Sequence, residues 1–408
     1  MELKEATDRL FELLNVKYSK DVGAALIEHM ENDSDFIERY RSVFGYEQDY
    51  IQMFYEYYCS ERKEKKQDYT PPCLAKLLAE LAPENTKTVY DICAGSGSLT
   101  LAIHERFPDA FFVLHELDST VMPFLLFQLR LHDINAVVIQ GDVFSDKPEN
   151  IYRVKDKIEP LCDYIIGEYD YCVSNPPFNL KKKQHSIKYS ELTYKDMNMN
   201  DAFLAYAKQH GRKASVILFR YENTKLTDAL LNDKVIERVI MNPEKMFTNT
   251  PTGTSVIVMG KKGSSEDITL QDARDYYTKT IRDQNGQYGG NSHTGRTYHK
   301  EFYIYNDEQI ENIAHKWRGP DTYEFWETDW IGTTPSDILT NKKPFPCLVY
   351  GVSDDVTRNR QEQEDKKRQL ERERLQKQWD FVMSHPAWKI MKAIHELDIV
   401  KENNNDER

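Results

Sequence analysis

The sequence of 408 residues lacks long apolar runs, closely spaced cysteines and an excess of basic residues. No run approaches the roughly 18 apolar residues that a membrane-spanning helix requires, and the first residues do not resemble a signal peptide. The six cysteines are scattered, without the C-x-x-C spacing of zinc sites. We therefore expect a cytoplasmic protein with reduced thiols, no metal site and no membrane association.

The net charge of −13 argues against a uniformly basic surface. Proteins that bind DNA gain affinity when Lys and Arg displace counterions from phosphates. If this chain acts on DNA, either its basic residues are concentrated on one face or another subunit supplies much of the affinity.

Hydrophobic periodicity divides the chain into four predicted regions. Residues 1–65 form helices, as the helical spacing of Leu10, Leu13 and Leu14 indicates. Residues 66–262 form an α/β domain, and residues 263–350 form a mixed extension with a polar, Gly-rich loop at 283–297. Residues 351–408 form a charged helical segment and a tail.

Seven short apolar runs predict the strands of the α/β domain, with helical patterns such as 98–107 and 120–132 between the first five. The runs cover residues 88–92, 111–115, 136–140, 171–174, 214–219, 235–240 and 255–259. This alternation predicts a parallel, doubly wound, Rossmann-like sheet. Little sequence separates the last two runs, which predicts an antiparallel edge strand there. Thr70 before Pro71 predicts a helix N-cap.

A glycine-containing turn from Asp91 to Ser98 follows the first predicted strand. Gly95 and Gly97 allow a ligand to approach the backbone, and the following helix offers N–H groups. Glu116 ends the second strand, where an acidic side chain suits the hydroxyls of a ribose. A dinucleotide site requires a third glycine where Thr100 stands. Asp91 suits a cationic amino-acid moiety better than a pyrophosphate.

Two further segments follow the third and fourth predicted strands. Asp142 could accept a hydrogen bond from an adenine amino group or cap a helix. Asn175-Pro176-Pro177-Phe178 offers an amide oxygen and carbonyls beside an aromatic ring, because the two prolines lack N–H donors. Two acceptors that bind the N–H groups of a planar amine localise its lone pair on nitrogen. The tetrapeptide therefore suits methylation of such an amine, at the strand ends where open sheets bind ligands.

These motifs, in this order over about residues 66 to 262, resemble the modification subunits of type I restriction–modification systems, which are adenine-N6 DNA methyltransferases. Supporting matches are the segment from His115 to His132 and the turn Phe247-Thr248-Asn249-Thr250 before the last strand. The departures are Cys93-Ala94 in place of the more usual Ala-Cys order, and Asp118 in place of Asn. The resemblance implies a class I methyltransferase sheet with S-adenosylmethionine as cofactor.

The resemblance also implies roles for individual residues. Catalysis would belong to Asn175, Pro176, Pro177 and Phe178. The implied cofactor-binding residues are Tyr69, Thr70, Asp91, Ala94, Gly95, Gly97, Ser98, Glu116, Leu117, Asp142 and Val143. The implied partners are double-stranded DNA, a separate specificity subunit and a restriction subunit.

Two charged segments suggest where such partners bind. Lys181, Lys182 and Lys183 follow the tetrapeptide and suit DNA phosphates, although a lysine run is also typical of a solvated loop. Residues 354–378 predict a long exposed helix with many charges. The apolar residues after it could bind a partner helix or the protein's own core; they are Trp379, Phe381, Val382, Trp388, Ile390 and Met391.

Two alternative functions stay open on the sequence. Methylation of cytosine N4 or of a protein glutamine uses a planar amine and a similar tetrapeptide. A catalytically silent protein with the same fold would instead bind a specificity subunit or another partner, as the acidic charge suggests.

Overall fold

The structure is a computed structural model, and it describes residues 3–45, 50–59, 69–145, 147–178, 180–218, 224–247, 253–264, 267–285, 297–317 and 322–324. The predicted C-terminal helix and its apolar anchor, residues 248–250 of the Phe247 turn, and most of the predicted Gly-rich loop lie outside these residues.

Helices form the N-terminal part of the described chain. Apolar side chains recur on one face of each helix, and Leu10, Phe36 and Tyr40 are buried in their shared core. This core also includes Phe124 and Phe127 from a later helix of the α/β domain. The elements are α1 (Leu3–Leu14), a 3-10 turn (Ser19–Asp21), α2 (Val22–Asn32), α3 (Phe36–Phe44) and α4 (Tyr50–Phe54), which continues as a π-helix (Tyr55–Cys59).

The α/β part of the described chain is a mainly parallel sheet with helices, which confirms the predicted α/β fold class. Its first strands and helices are α5 (Pro72–Glu80), β1 (Thr88–Asp91), α6 (Ser98–Arg106), β2 (Phe111–Glu116), α7 (Met122–Leu131) and β3 (Ala136–Gln140). After these come β4 (Asn150–Val154), β5 (Ile158–Pro160), β6 (Tyr169–Ser174), α8 (Met199–His210), β7 (Gly211–Leu218), α9 (Lys225–Asn232), β8 (Ile236–Met241) and β9 (Ser255–Met259). Helix α7 is almost entirely buried because it lies between the sheet and the N-terminal helices.

Over strands β1 to β3 and β6 to β9 the sheet has the order β3-β2-β1-β6-β7-β9-β8. The pairs from β3 to β7 are parallel, whereas β9 is antiparallel to both of its neighbours. The prediction of an antiparallel strand is confirmed, but its edge position is wrong. Strand β9 fills the position that the crossover through α9 leaves open between β7 and β8, and it is antiparallel to both.

Short additional strands extend both edges of the sheet. At one edge the antiparallel strands β4 and β5 follow β3. At the other, β10 (Asp267–Asp272) pairs with β8, and β13 (Thr322–Glu324) pairs with β10. The other elements are β11 (Thr278–Asn285), β12 (Thr297–Ile304) and α10 (Asp307–Glu311), which continues as a π-helix (Asn312–Lys316).

Two local predictions are wrong at their boundaries. Thr70 does not cap α5; the N-cap is Pro71, because the chain is still extended there and the helix begins at Pro72. The predicted loop at 283–297 begins and ends inside strands, because Asp283, Asn285 and Thr297 all take part in the β11–β12 pairing. The sequence did not predict this hairpin, because its strands are polar and lack a clear apolar alternation.

Candidate active site

A cavity of about 550 Å³ opens at the carboxyl ends of the parallel strands. The turn after β1, the end of β2 and the tetrapeptide after β6 all line it, so the topology joins segments that lie far apart in sequence. The lining residues are Tyr69, Thr70, Cys93, Ala94, Gly95, Ser96, Ser98, Leu99, Glu116, Leu117, Asp118, Ser119, Val121, Glu149, Asn175, Pro176, Pro177, Phe178 and Leu180.

The turn after β1 depends on two glycines with positive φ. Gly95 has φ of 55° and Gly97 has φ of 99°. A Cβ at Gly95 would have no atom within 4 Å, so it would stand in the open cavity that Gly95 lines. A Cβ at Gly97 would lie 3.2 Å from Cδ1 of Leu125. Gly95 leaves the cavity wall without a side chain at this position, and Gly97 lets the turn pack closely on α7.

Glu116, the last residue of β2, binds the glycine turn that follows β1. Its Oε2 accepts a hydrogen bond from the Gly95 N–H at 2.7 Å, and its Oε1 accepts one from the Asp118 N–H at 2.6 Å. Burial raises the pKa of this carboxyl, and the two backbone donors oppose that effect. Each carboxylate oxygen has two lone pairs, so both retain capacity for a further hydroxyl donor. A pair of ribose hydroxyls matches this capacity.

The tetrapeptide begins with an oriented amide. Nδ2 of Asn175 donates to Oγ1 of Thr70 at 3.0 Å. The Asn175 amide therefore has a fixed direction relative to the cavity that both residues line. Phe178 is buried, and its ring meets that of Phe247 edge to face at 5.6 Å between centroids. The last two elements of the resemblance, the tetrapeptide and Phe247, are thus in contact.

Asp91 lies apart from the cavity, although the sequence suggested it for the cofactor. Its carboxylate is fully buried and accepts hydrogen bonds from Oγ1 of Thr100 at 3.1 Å and from the Cys93 N–H at 3.4 Å. Burial raises the pKa of Asp91 to about 7. Asp91 therefore stabilises the turn through hydrogen bonds to residues of the turn and of α6. Gly97 also lies outside the cavity lining.

Asp142, Val143 and the lysines at positions 181–183 also lie outside the lining. Oδ1 of Asp142 accepts from the Phe144 N–H at 3.1 Å, and its Oδ2 forms an ion pair with Lys183. Lys182 donates to the carbonyl of Lys195 at 2.7 Å. Lys181 is exposed. Val143 lines a separate cavity of about 330 Å³.

The sequence did not identify several of the lining residues as site residues. Most of these, such as Cys93, Ser96 and Asp118, lie inside the motifs already identified. Glu149 carries no motif, because it precedes an antiparallel strand that the sequence did not predict. Leu180 could have been found from its position two residues after Phe178.

In the described ranges no helix has both the length and the apolar character that a membrane span requires. The described side chains also form no group of three or more His, Cys, Asp or Glu residues suited to a metal ion.

Among the solved structures that resemble this fold are chains of type I restriction–modification systems. The methyltransferase subunit of a type I restriction–modification system from Streptococcus thermophilus superposes with a TM-score of 0.52 and 21% identity, covering 70% of this chain and 62% of that one. A chain of a type I system studied for complex assembly and conformational transition superposes with a TM-score of 0.50 and 16% identity, covering 94% and 75%. At these identities the likeness concerns the fold.

Curated relatives are similar in sequence over part of their length. A type I restriction enzyme methylase subunit of Methanocaldococcus jannaschii, MjaVIII, is 27% identical over 271 residues, which are 59% of this chain and 44% of that protein. The MpnII methylase subunit of Mycoplasma pneumoniae is 26% identical over 230 residues, 49% and 41% respectively. The chain thus spans less than half the length of these relatives. Residues 44–315 match the family described as N-6 DNA methylase.

Proposed function

We propose that this chain, which belongs to the N-6 DNA methylase family, transfers a methyl group from S-adenosylmethionine to N6 of adenine in double-stranded DNA. One observation carries the proposal: the glycine turn, Glu116 and the tetrapeptide from Asn175 line a single cavity. A methyl donor and a planar amine could therefore meet there.

The residues at the glycine end fit S-adenosylmethionine. The wall at Gly95 has no side chain, and Glu116 has acceptor capacity for two ribose hydroxyls. Leu117 is 60% exposed beside Glu116 and offers an apolar surface to a purine. The cavity volume lies within the range of small-molecule sites. When bound, the cofactor supplies an electrophilic methyl group.

The residues at the other end fit the target amine. The lone pair of an adenine amino group is delocalised into the ring, which makes the amine a weak nucleophile. In the proposed mechanism Oδ1 of Asn175 and the carbonyl oxygen of Pro176 accept hydrogen bonds from the two N–H groups of this amine. The lone pair then localises on nitrogen. The bond from Asn175 to Thr70 orients the amide for this task. Phe178, held by Phe247, supports the ring of the base.

The target adenine must leave the duplex to reach the cavity, because its amino group is stacked and paired there. Lys181, Lys182 and Lys183 follow the tetrapeptide and are proposed to contact the backbone beside the extruded nucleotide. Lys183 must first part from Asp142 and Lys182 from the Lys195 carbonyl. Lys181 is exposed and would need no such exchange to contact a phosphate.

The acidic charge favours a division of labour between subunits. With a net charge of −13, the chain has little general attraction for phosphates. We propose that it is a modification subunit that obtains its target sequence from a separate specificity subunit and works beside a restriction subunit in the cytoplasm, where its DNA substrate lies. The two type I methylase subunits similar to it support this assignment.

The competing functions are separated by one product analysis. The purified chain, alone and with candidate specificity subunits, is incubated with tritiated S-adenosylmethionine and either DNA or protein, and the labelled product is identified by mass spectrometry. Labelled N6-methyladenine supports the proposal. Labelled N4-methylcytosine or methylated glutamine contradicts it in favour of another amine. Absence of S-adenosylmethionine binding by calorimetry at hundreds of micromolar favours the silent partner-binding protein.

A further inference from the structure

A second cavity, of about 330 Å³, lies next to the candidate active site but is separate from it. Among the described residues none lines both cavities. His115 and Pro148 line the second cavity, whereas Glu116 and Glu149, which follow them directly, line the first. Side chains alternate between the faces of a strand, so His115 and Glu116 point to opposite faces at the end of β2. A ligand of the second cavity would therefore bind independently of the proposed methyl transfer.

The topology leaves room for this second cavity. Parallel sheets usually have helices over both faces. The described connection from β3 to β6, however, forms the short strands β4 and β5 rather than a helix. Loop residues such as Phe144 and Ile166 line the cavity together with Ile139 of β3. An open space thus remains beside the sheet where a connecting helix would otherwise pack.

His115 presents a polar atom to the second cavity. Its side chain is only 3% exposed. Its Nδ1 lies 3.0 Å from the hydroxyl of Tyr90, which in turn lies 3.1 Å from the hydroxyl of Tyr206. Within the described part of the chain no group hydrogen-bonds to its Nε2. A buried polar atom without a partner costs about 1–3 kcal/mol, so a ligand that supplies the partner gains affinity from this contact.

The hydrogen bonds of Tyr90 assign the proton on the His115 ring. Burial lowers the pKa of His115 to about 4, so the ring is neutral at neutral pH, with one donor and one acceptor nitrogen. An imidazole nitrogen is a stronger acceptor than a phenol oxygen. The Tyr90 hydroxyl therefore donates to Nδ1 and accepts from the Tyr206 hydroxyl, which places the proton of His115 on Nε2. His115 thus offers a hydrogen-bond donor to the cavity.

The rest of the lining restricts the charge and the shape of a ligand. The described lining contains no lysine or arginine, and Asp163, which does line it, is exposed and acidic, so an anion is disfavoured. The ring of Tyr206 lies edge to face with Phe144 at 5.9 Å and contacts His210 at 4.4 Å between centroids. Aromatic walls favour a flat ring. The cavity volume, at the lower end of the range for small-molecule sites, suits one or two rings.

We propose that the second cavity binds a neutral, planar heteroaromatic molecule of one or two rings, which accepts a hydrogen bond from Nε2 of His115. A ring nitrogen or a carbonyl oxygen of the ligand provides the acceptor. The aromatic side chains of Phe144 and Tyr206 pack against its ring. Nucleotides do not meet these requirements because of their phosphate charge, and molecules that carry only N–H donors leave the His115 donor without a partner.

The first test compares two probes that differ in the direction of their hydrogen bond. Quinoline and indole are both neutral two-ring molecules, but the quinoline nitrogen accepts whereas the indole N–H donates. Ligand-observed NMR titrations give the Kd of each probe for the full chain at neutral pH. We expect quinoline to bind about fivefold more tightly, the effect of one hydrogen bond. In His115→Phe, which keeps a ring without a donor, this preference disappears. His104→Phe, a histidine of α6 that does not line the cavity, keeps it.

A second pair of variants tests the location of the bound probe without changing a fully buried residue. Ile166→Trp places a large ring at a half-buried position of the lining, and we expect it to weaken the binding of both probes at least about tenfold. Ile165→Trp makes the same change at the preceding position, which is 85% exposed and lies outside the lining, and it should bind as the wild type does. The thermal unfolding of each variant is recorded to show that it is folded.

Each contrary result overturns the proposal in a different way. Failure of the wild type to bind quinoline at millimolar concentration would show that the cavity holds only water. Binding that Ile166→Trp leaves unchanged would place the probe elsewhere on the protein. Equal affinity of the wild type for the two probes, or a quinoline preference that persists in His115→Phe, would show that His115 is not the donor.

Discussion

Asn175 and Thr70 lie 105 positions apart in the chain, and the hydrogen bond between them links the tetrapeptide to the segment before α5. The sequence predicts Thr70 as a cofactor-binding residue, through the family resemblance, and as a helix cap. The structure corrects the second role and supplies a different one. A hydroxyl that receives the Asn175 amide N–H controls which way the amide oxygen points.

Removing this hydroxyl should therefore slow methyl transfer. We expect Thr70→Val to lower kcat about fivefold to tenfold, the effect of losing one hydrogen bond of about 1 kcal/mol. Thr70→Ser keeps the hydroxyl and should stay near the wild type. Single-turnover rates are measured beside the Kd for S-adenosylmethionine, because Thr70 also lines the cavity. Equal rates for the Val and Ser variants would show that the hydroxyl does not position Asn175.

Asp91 makes stability depend on pH in an unusual direction. Burial raises its folded-state pKa to about 7 from an ordinary 3.8, so the folded state holds the proton more tightly than the unfolded chain does. Stability therefore falls as pH rises from about 4 to about 7. In Asp91→Asn this titration is absent. Relative to the wild type, the variant should gain up to about 3 kcal/mol between pH 5 and pH 8 in urea denaturation.

Asp170 provides the control of opposite sign. Burial alone would raise its pKa, but hydrogen bonds from the Lys87 and Thr88 N–H groups and the Thr88 hydroxyl, with the charge of Arg212, together lower it. Its stabilisation is present above the unfolded pKa and is lost as pH falls through the folded one. Asp170→Asn should thus be destabilised equally at pH 5 and pH 8. A constant difference for Asp91→Asn as well would refute a buried, proton-binding Asp91.

At the scale of elements, the turn between β1 and α6 contains two glycines with different structural roles. Both Gly95 and Gly97 have positive φ, which costs an L-residue about 1–2 kcal/mol. A side chain at Gly97 also presses on Leu125, whereas one at Gly95 enters the cavity. The sequence pattern alone treats the two positions alike.

Matched alanine variants should reveal this difference. We expect Gly97→Ala to lose more stability than Gly95→Ala in urea denaturation, and Gly95→Ala to lose more affinity for S-adenosylmethionine in calorimetry. The physical reason is that one Cβ meets a neighbouring helix and the other meets the space that the cofactor would fill. Identical profiles for the two variants would contradict this assignment of the cavity wall.

Sequence could predict the elements whose signals are local. Each of the seven predicted strands overlaps a strand of the structure, because a short apolar run marks a buried strand. The position of β9 between β7 and β8 could not be predicted, since it depends on which pairing remains open after the sheet assembles. Strands β4 and β5 were missed because their alternation is weak, and with them the signal for Glu149.

The same distinction applies to the site. Gly95, Glu116 and Asn175 could be identified as cavity residues because strand ends of a parallel sheet converge. The ion pair that engages Asp142 with Lys183 joins two loops and has no sequence signature. The burial of Asp91 behind the turn is likewise a result of tertiary packing.

At the scale of the whole molecule, the cavity occupies a limited part of the chain. Its lining residues run from Tyr69 to Leu180. A chain that ends at residue 353 keeps all of them. We therefore expect deletion of residues 354–408 to leave S-adenosylmethionine binding intact while impairing assembly with a specificity subunit, as measured by calorimetry and co-purification. Loss of cofactor binding in a folded truncation would refute this division.

The acidic net charge of the chain also indicates that a partner subunit contributes to DNA binding. If the chain is the catalytic subunit proposed above, its net charge of −13 means that its affinity for a DNA target comes from a local basic surface or from a partner. The engaged lysines beside the tetrapeptide favour the partner, because Lys182 and Lys183 already have protein acceptors.

The central claim is that Asn175 prepares an adenine amino group for methylation. The most direct measurement maps N6-methyladenine in the DNA of cells that express the chain with candidate specificity subunits, beside an Asn175→Ala variant. We expect methylated adenines at one defined sequence with the wild type, none with the variant, and nearly unchanged S-adenosylmethionine binding by both. Methylation that persists in the variant, or that falls on another base, would contradict the claim.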